Sequence, residues 1–433
     1  MSILIKNVWL EEQVVTLEIQ EDRIHAITSA AAFDASSQAA FISSQVDKII
    51  DGQKKLRVLP ALFNGHTHAA MTLFRSYGDD LPLMRWLQEK VWPLEASITE
   101  TQVEWGMRLA CLEMIKTGCT GFCDMYWHFD ACARIVEEVG LHGVLSGVFV
   151  DLFDSKRAKA QQQLNGELYE SCHEKYPKYV RFAIGPHAIY TVSEDSLRWA
   201  SEFTAEKNIP FHTHLSETRR EIDECRAQHN GLSPVEYLHS LNILSPRLKA
   251  AHVIHVDERD RALLAEHGVT VIHNPSSNMK LAVGGPFNLK VMKAAGIVPV
   301  LGTDGAGSNN SLDLFTEMKI AALLQKHAWS DPEQGAAHEI WRMPTIDSWR
   351  QFGYDAGEVA VGKLAELILI RTDDFAMIPN HDYISNLVYS ANGTIVDTTI
   401  SSGRVLMEGG VVAGEQELLQ EFRDVAHHFV NSH

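Results

Sequence analysis

Stretches of alternating apolar and polar residues occupy both ends of the chain, a pattern typical of half-buried β-strands. They lie at residues 3–10, 15–28, 48–60, 365–373 and 398–412. We therefore expect a small β-sandwich domain built from both termini, residues 1–57 plus 365–433. Within it, the Ala- and Ser-rich segment 31–46 is expected to form a loop or weak helix, and 415–430 a surface helix.

The middle of the chain shows a different pattern, in which apolar runs end in polar residues and helix-length amphipathic stretches separate them. The runs end at His68, Met125, Val150, His187, His214, His255, Pro275 and Asp304. The stretches 99–117 and 193–207 have the length and pattern of surface helices. Eight strands alternating with helices predict an α/β fold, a (β/α)8 TIM barrel over residues 58–364. Its active site is expected at the carboxyl ends of the strands.

Composition narrows the function classes. The chain has 433 residues and a formal net charge of -18, which disfavours nucleic acid as a partner. The six cysteines form no CxxC pair, so a cysteine-rich zinc site is not expected. No run of about 18 apolar residues predicts a membrane span. With no basic segment leading into an apolar core, no signal peptide is predicted, and we expect a cytoplasmic protein with no membrane partner.

Two His-x-His motifs end predicted barrel strands. His66 and His68 follow an apolar run, and alternate residues of a strand share a face, so both imidazoles point the same way. In the second motif, either His212 or His214 can supply a third inward-facing ligand. Glu217 comes just after that strand, where a loop carboxylate can reach a bound water. On its own, Glu217 is better explained as a solvated charge at a helix start.

Two later strands add further candidate groups. Asp304 follows the apolar run IVPVL and has glycines on both sides, although an Asp here can also cap the next helix. His252 and His255 lie in the sixth predicted strand, where one is expected to contact water or substrate and the other to be structural. Three His and one Asp form a mixed nitrogen and oxygen site, which suits Zn²⁺ best, with iron or manganese also possible.

Long blocks of the sequence resemble the amidohydrolase superfamily. They are NGHTHAAMTLFRSYGDDLPLMRWLQEKVWPLE at 64–95, GPHAIYTVS at 185–193, HTHLSET at 212–218, AAHVIHV at 250–256, HNPSSNMKL at 273–281, LGTDGAGSNNSLDLFTEM at 301–318 and SNLVYSANGTIVDTTISSGRVLMEGG at 385–410. The resemblance is strongest to the branch of S-adenosylhomocysteine and methylthioadenosine deaminases. Chlorotriazine hydrolases and guanine deaminases are more distant cousins.

The resemblance implies a role for each matching position. His66, His68, His214 and Asp304 would hold one catalytic zinc, with His214 selected because it stands three residues before Glu217. Glu217 would carry a proton from the attacking water to the purine ring, and His252 would orient that water.

The same resemblance implies a set of substrate-binding residues. Glu95 would bind the ribose hydroxyls, while Trp86, His187 and Ser308 would line the rest of the pocket. From the residues alone, Trp86 is equally explained by helix packing and Glu95 by an exposed charge. The expected substrate is therefore a small purine nucleoside such as S-adenosylhomocysteine, methylthioadenosine or adenosine.

Two departures from the branch stand out. The usual Pro-Gly before the metal pair is Pro60-Ala61 here. The branch often supplies Arg side chains for the homocysteine carboxylate, and only Lys156 and Arg157 are candidates.

Other activities stay open at this point. The enzyme alternatives are a deaminase of a free guanine-like base and an s-triazine hydrolase of the same superfamily. A non-catalytic scaffold is the remaining class, and it is disfavoured because all four expected ligands and Glu217 are present. A homo-oligomer is compatible with the fold.

Overall fold

The computed structural model describes residues 2–29 and 46–431. Apart from Val46, the segment 31–46 lies outside the described residues. The strands are β1 (Ser2–Leu10), β2 (Gln13–Gln20), β3 (Arg23–Ser29), β4 (Lys48–Asp51), β5 (Leu56–Pro60), β6 (Leu62–Thr67), β7 (Cys119–Tyr126), β8 (His142–Phe149), β9 (Val180–Pro186), β10 (Phe211–Leu215), β11 (Leu248–His252), β12 (Thr270–His273), β13 (Val300–Leu301), β14 (Leu367–Arg371), β15 (Val396–Ser401) and β16 (Arg404–Met407).

Helices connect most of the central strands. The α-helices are Leu83–Trp86, Trp92–Glu95, Glu100–Lys116, Phe129–Val139, Ser155–Lys175, Glu194–Lys207, Arg219–Gln228, Pro234–Ser240, Glu258–Glu266, Pro275–Lys280, Leu289–Ala294, Leu314–Trp329, Ala337–Arg342, Ser348–Gln351, Tyr383–Tyr389 and Glu415–Asn431. Short 3-10 helices lie at Ala69–Phe74, Phe375–Met377 and Gly393–Ile395, and π-helical turns at Leu87–Val91 and Met343–Asp347. The helices predicted over 99–117 and 193–207 are confirmed.

Strands from both termini form one sheet. Its order is β16-β15-β14-β5-β1-β2-β3, and β4 pairs in parallel with β1. The two ends of the chain meet where β14 pairs antiparallel with β5, for example Leu369 with Val58. Alternate side chains such as Ile3, Ile5 and Leu17 are buried in a core of their own, which explains the alternating pattern of the sequence.

The central strands form a parallel, nearly closed barrel. They follow the order β13-β12-β11-β10-β9-β8-β7-β6, so each strand pairs with its neighbour in the chain. The first and last strands approach each other at their carboxyl ends. There the Asp304 N–H donates to the His66 carbonyl at 3.0 Å, and the Thr303 N–H donates to Asn64 Oδ1 at 3.0 Å.

The predicted fold, a TIM barrel with a small β-structure built from both termini, is confirmed. The division into a domain of 1–57 plus 365–433 and a barrel of 58–364 stays a prediction. The Pro60-Ala61 departure is tolerated because Ala61 has an ordinary negative φ and needs no glycine. Its N–H donates to the Glu366 carbonyl at 2.9 Å.

The helix predicted near the carboxyl terminus spans Glu415–Asn431. It is not wholly a surface element, because Phe429 is fully buried and its ring lies 5.2 Å from that of Phe74. Phe74 ends the short 3-10 helix that follows the first His-x-His motif, so the terminal helix supports that segment. Across residues 2–29 and 46–431, the structure contains no helix with both the length and the apolar character needed to cross a membrane.

Candidate metal centre and active site

Four side chains predicted as ligands converge at the carboxyl end of the barrel. His66 is the penultimate residue of β6, His68 follows that strand, His214 lies on β10, and Asp304 follows β13. The Nε2 atoms of His68 and His214 are 3.2 Å apart. Asp304 Oδ1 lies 3.5 Å from His66 Nε2 and 3.4 Å from His68 Nε2. The four donor atoms therefore face a common point.

Each of the three histidines is oriented through its other ring nitrogen. His68 Nδ1 lies 2.6 Å from the Met125 carbonyl, and His214 Nδ1 lies 2.7 Å from the His187 carbonyl. A carbonyl can only accept, so both Nδ1 atoms carry the proton and both Nε2 atoms present a lone pair. His66 Nδ1 lies 2.8 Å from His212 Nε2.

This donor set fits a divalent metal ion. Burial lowers the pKa of His66 to about 4 and holds the pKa of His214 well below its ordinary value, so both are neutral at pH 7. Two lone pairs 3.2 Å apart repel each other unless a cation lies between them. His66 Nε2 is also buried with no hydrogen-bond partner, and a metal would satisfy it. Neutral imidazole and carboxylate are the ligands that zinc and its neighbours prefer.

Asp304 is held in place by two hydrogen bonds and a strained backbone. The Ser277 hydroxyl donates to its Oδ2 at 2.6 Å, and the Gly305 N–H donates to its Oδ1 at 2.8 Å. These two hydrogen bonds to the carboxylate oxygens favour the ionised form of Asp304 against the opposing effect of its burial. Its φ of 64° lies in the left-handed region, as does the φ of 73° at His252. Such strain at strand ends is typical of functional sites.

Glu217 and His252 lie side by side next to this cluster. Glu217 Oε1 is 3.9 Å from His252 Nδ1, and Glu217 is only 4% exposed, so it is not a solvated helix charge. Burial raises the pKa of Glu217, which favours a carboxyl group that carries a proton. His252 Nδ1 lies 2.7 Å from Asn278 Oδ1, and one of its ring nitrogens falls within 4.8 Å of the ligand atoms of His66 and Asp304.

These groups form the floor of a cavity of about 480 Å³. Its walls are mainly apolar and aromatic, and include Leu83, Trp86, Leu87, Val91, Trp92, Met125, Tyr126, Trp127, Val148, Val150 and Leu152. A cavity of this size and character suits a small ligand that carries a flat ring. His68, His214 and Asp304 line its interior together with Glu217 and His252, whereas His66 is fully buried beneath them.

The four predicted substrate-binding residues line the same cavity. Trp86 is buried, and Glu95 is half-buried with a pKa raised by burial. His187 Nδ1 lies 2.9 Å from Thr191 Oγ1, and Ser308 Oγ lies 3.0 Å from Ser277 Oγ. Packing thus explains part of the position of Trp86, but Glu95 is not a fully exposed charge.

The structure also gives the positions of the other candidate histidine and of the two candidate cations. His255 lies after β11, and its Nε2 donates to the Val283 carbonyl at 2.7 Å, which makes it structural. Of the two candidate cations, Arg157 lines the cavity and Lys156 is not among its lining residues.

Three buried residues that support the site had no role in the sequence interpretation. They are Ser277 beside Asp304, Asn278 beside His252, and Glu221. The Glu221 carboxylate accepts from the N–H groups of Ser216 and Glu217, at 2.9 and 2.8 Å. Ser277 and Asn278 lie within the block at 273–281, whose cluster of small polar residues after a strand was the available signal.

A parallel barrel with histidine and carboxylate side chains clustered at the carboxyl ends of its strands is the arrangement expected of a metal-dependent barrel enzyme. Residues 57–406 match the Amidohydrolase family, and the chain belongs to this family. The predictions of the family and of a hydrolase that acts on C–N bonds are thereby confirmed.

The chain is similar to several nucleoside deaminases. It is 45% identical over 377 residues to a 5'-deoxyadenosine deaminase of Methanoregula boonei, and the aligned region covers 87% of this chain and 85% of the relative. It is 44% identical over 375 residues to a 5-methylthioadenosine/S-adenosylhomocysteine deaminase of Archaeoglobus fulgidus, covering 86% and 87%. Among solved structures, an adenosine deaminase from Xanthomonas campestris with bound zinc superposes with a TM-score of 0.88, at 28% identity, over 99% of this chain and 98% of that chain.

Proposed function

We propose that this protein is a zinc-dependent deaminase that converts the adenine base of a nucleoside to hypoxanthine and releases ammonia. The observation that carries the proposal is the placement of Glu217. A buried carboxyl with a raised pKa faces the same cavity as His68, His214 and Asp304, three of the four candidate metal ligands. Relatives at 44 and 45% identity that are named as adenine-nucleoside deaminases support the same substrate class.

In this proposal His66, His68, His214 and Asp304 hold the zinc ion. When bound, zinc lowers the pKa of a coordinated water and so makes a nucleophile available at neutral pH. Iron or manganese would suit the same mixed ligands. The bidentate anchoring of Asp304 by Ser277 and Gly305 keeps its carboxylate beside the histidines.

The protein's own groups move the protons. Glu217 in its protonated form donates to N1 of the adenine ring, which makes C6 more electrophilic. Asp304, held as a carboxylate by Ser277 and Gly305, accepts a proton from the attacking water. His252, fixed by Asn278, orients the water through its remaining nitrogen. The proton held by Asp304 then passes to the amino group, which leaves C6 as ammonia, while the C6 hydroxyl gives its proton to Glu217 as the carbonyl forms.

The cavity walls recognise the rest of the substrate. We assign the ribose hydroxyls to Glu95, because a half-buried carboxylate accepts two hydroxyl hydrogen bonds well. Trp86, His187 and Ser308 line the remaining surface. Arg157 is the only Lys or Arg among the described residues that line the cavity, whereas the walls are mainly apolar. We therefore expect uncharged 5' substituents, as in 5'-deoxyadenosine and methylthioadenosine, to be preferred over S-adenosylhomocysteine.

The test is a parallel assay of the zinc-loaded protein on 5'-deoxyadenosine, methylthioadenosine, S-adenosylhomocysteine, adenosine and guanine. Loss of the substrate's ultraviolet absorbance and release of ammonia are followed together. Turnover of the nucleosides but not of guanine supports the proposal, and the ranking identifies the preferred 5' group. Turnover of guanine alone would replace the proposed substrate with a free heterocyclic base.

A further inference from the structure

We propose that His212 is a positioning residue that holds the metal ligand His66 in the tautomer and orientation that binds the ion. This inference rests on the metal site of the proposed function. It arises from a difference between the three histidine ligands in what contacts their Nδ1 atoms.

Two of the three ligands are oriented by the main chain. His68 Nδ1 donates to the Met125 carbonyl and His214 Nδ1 to the His187 carbonyl. A side-chain substitution cannot remove these acceptors. For His66, by contrast, the Nδ1 partner is the His212 side chain, whose Nε2 lies 2.8 Å away. His66 is therefore the one of the three whose orientation depends on another side chain.

The surroundings of His212 are compatible with a proton on its Nδ1, because a hydroxyl and a thiol there can each accept a hydrogen bond. The Ser146 hydroxyl lies 3.1 Å and the Cys123 thiol 3.4 Å from its Nδ1. With Nδ1 protonated and donating toward these groups, the Nε2 lone pair faces His66. The Nδ1–H of His66 then donates to that lone pair, and His66 Nε2 is left unprotonated. That atom is the one that lies nearest to Asp304, at 3.5 Å.

His212 does not serve as a ligand itself. It shares one face of β10 with His214, because alternate residues of a strand point the same way, and lies one layer deeper in the barrel. It belongs to neither group of residues whose ligand atoms converge on the metal position. Its side chain is fully buried, so water cannot replace it as the acceptor for His66.

The measurable consequence concerns metal affinity. Removing an outer hydrogen-bond partner of a metal-ligating histidine lowers affinity by about 10- to 100-fold. His212→Phe keeps an aromatic ring in the barrel but removes the acceptor, so we expect a loss in this range. His212→Gln keeps an acceptor near the position of Nε2, so we expect a smaller loss.

A second buried histidine of the barrel, on β12, provides a matched control. His273 on β12 is also buried, and its ring stacks on Phe287 at 4.4 Å without contacting a ligand. His273→Phe makes the same chemical change as His212→Phe away from the metal cluster. We expect its zinc affinity to match that of the wild type.

The experiment titrates the metal-free full chain with Zn²⁺ against a chromophoric chelator, after circular dichroism has shown that each variant is folded. Weaker binding in His212→Phe, partial recovery in His212→Gln and no change in His273→Phe support the proposal. Wild-type affinity in His212→Phe, or an equal loss in His273→Phe, would overturn it.

A second variant keeps the test decisive should His212→Phe not fold. The double substitution Cys123→Ala/Ser146→Ala leaves both histidines in place but removes the side chains that face His212 Nδ1. Zinc affinity is expected to fall, and unchanged affinity would contradict the tautomer argument. The zinc titration uses no nucleoside, so its result is independent of the deamination assay. A protein that binds zinc as predicted here but deaminates no nucleoside would refute the proposed function and leave this inference intact.

Discussion

Replacing Ser277 by alanine tests how strongly the aspartate is held in the proposed metal centre. The Ser277 hydroxyl donates to Asp304 Oδ2 at 2.6 Å, and Ser277 is fully buried, so water cannot take its place. Loss of this donor leaves Asp304 with the backbone N–H of Gly305 as its remaining close donor on the carboxylate. The carboxylate is then less firmly oriented and less favoured as an anion.

The expected size of the effect follows from the type of bond. A hydrogen bond to a charged group contributes about 1.5–3 kcal/mol, roughly twice a neutral one. If the full amount is lost in the transition state, kcat/KM falls by about 10- to 150-fold, at about 1.4 kcal/mol for each factor of ten. The bound zinc is expected to persist in part, because the three histidines are unchanged.

The assay is steady-state deamination of 5'-deoxyadenosine, with the zinc content of each preparation measured alongside. Ser276→Ala is the matched control, since Ser276 contacts Glu317 through its N–H at 3.3 Å and makes no hydrogen bond to Asp304. We expect the control to retain wild-type kinetics. A Ser277→Ala enzyme within about twofold of the wild type would refute the argument, since it falls far below the expected loss.

Three further outcomes are expected. Glu217→Gln should retain zinc and lose about 10²–10⁴-fold in kcat, the usual contribution of a general acid, measured by turnover and metal analysis. Glu95→Gln should raise KM for adenosine more than it lowers kcat, in steady-state kinetics. Burial raises the pKa of Glu317 from 4.5 to about 7, so the folded protein holds a proton that the unfolded chain releases. The contribution of Glu317 to the free energy of unfolding should therefore be lost as the pH rises from 4.5 to about 7. Thermal unfolding measured across this range should show a smaller fall, or a larger rise, in stability with pH for Glu317→Gln than for the wild type.

The architecture was predictable because its strands carry clear periodic patterns. The ends of β1 and β2 are partly exposed and most of their middle residues are buried, whereas every residue of β6 and β7 is buried, as expected of barrel strands that are covered on both faces. The ligand candidates were predictable for a related reason. His66, His214 and Asp304 lie at or near carboxyl ends of barrel strands, which a parallel barrel brings to one face.

The supporting contacts were not predictable, because they depend on side-chain geometry between distant segments. Ser277 meets Asp304 across 27 residues, and His212 meets His66 across 146 residues. Nothing local in the sequence distinguishes Ser277 from Ser276, although only the former contacts the carboxylate of Asp304. The burial of Phe429 against Phe74 was missed for the same reason, since a terminal amphipathic helix gives no indication of what its apolar face covers.

The central claim is that water replaces the amino group at C6 of an adenine nucleoside in this cavity. The most direct measurement incubates the zinc-loaded protein with 5'-deoxyadenosine in water enriched in heavy oxygen and analyses the product by mass spectrometry. We predict a hypoxanthine nucleoside that carries one heavy oxygen, formed by Glu217→Gln at least about 100-fold more slowly than by the wild type. An unchanged nucleoside, or free adenine released by cleavage of the glycosidic bond, would contradict it.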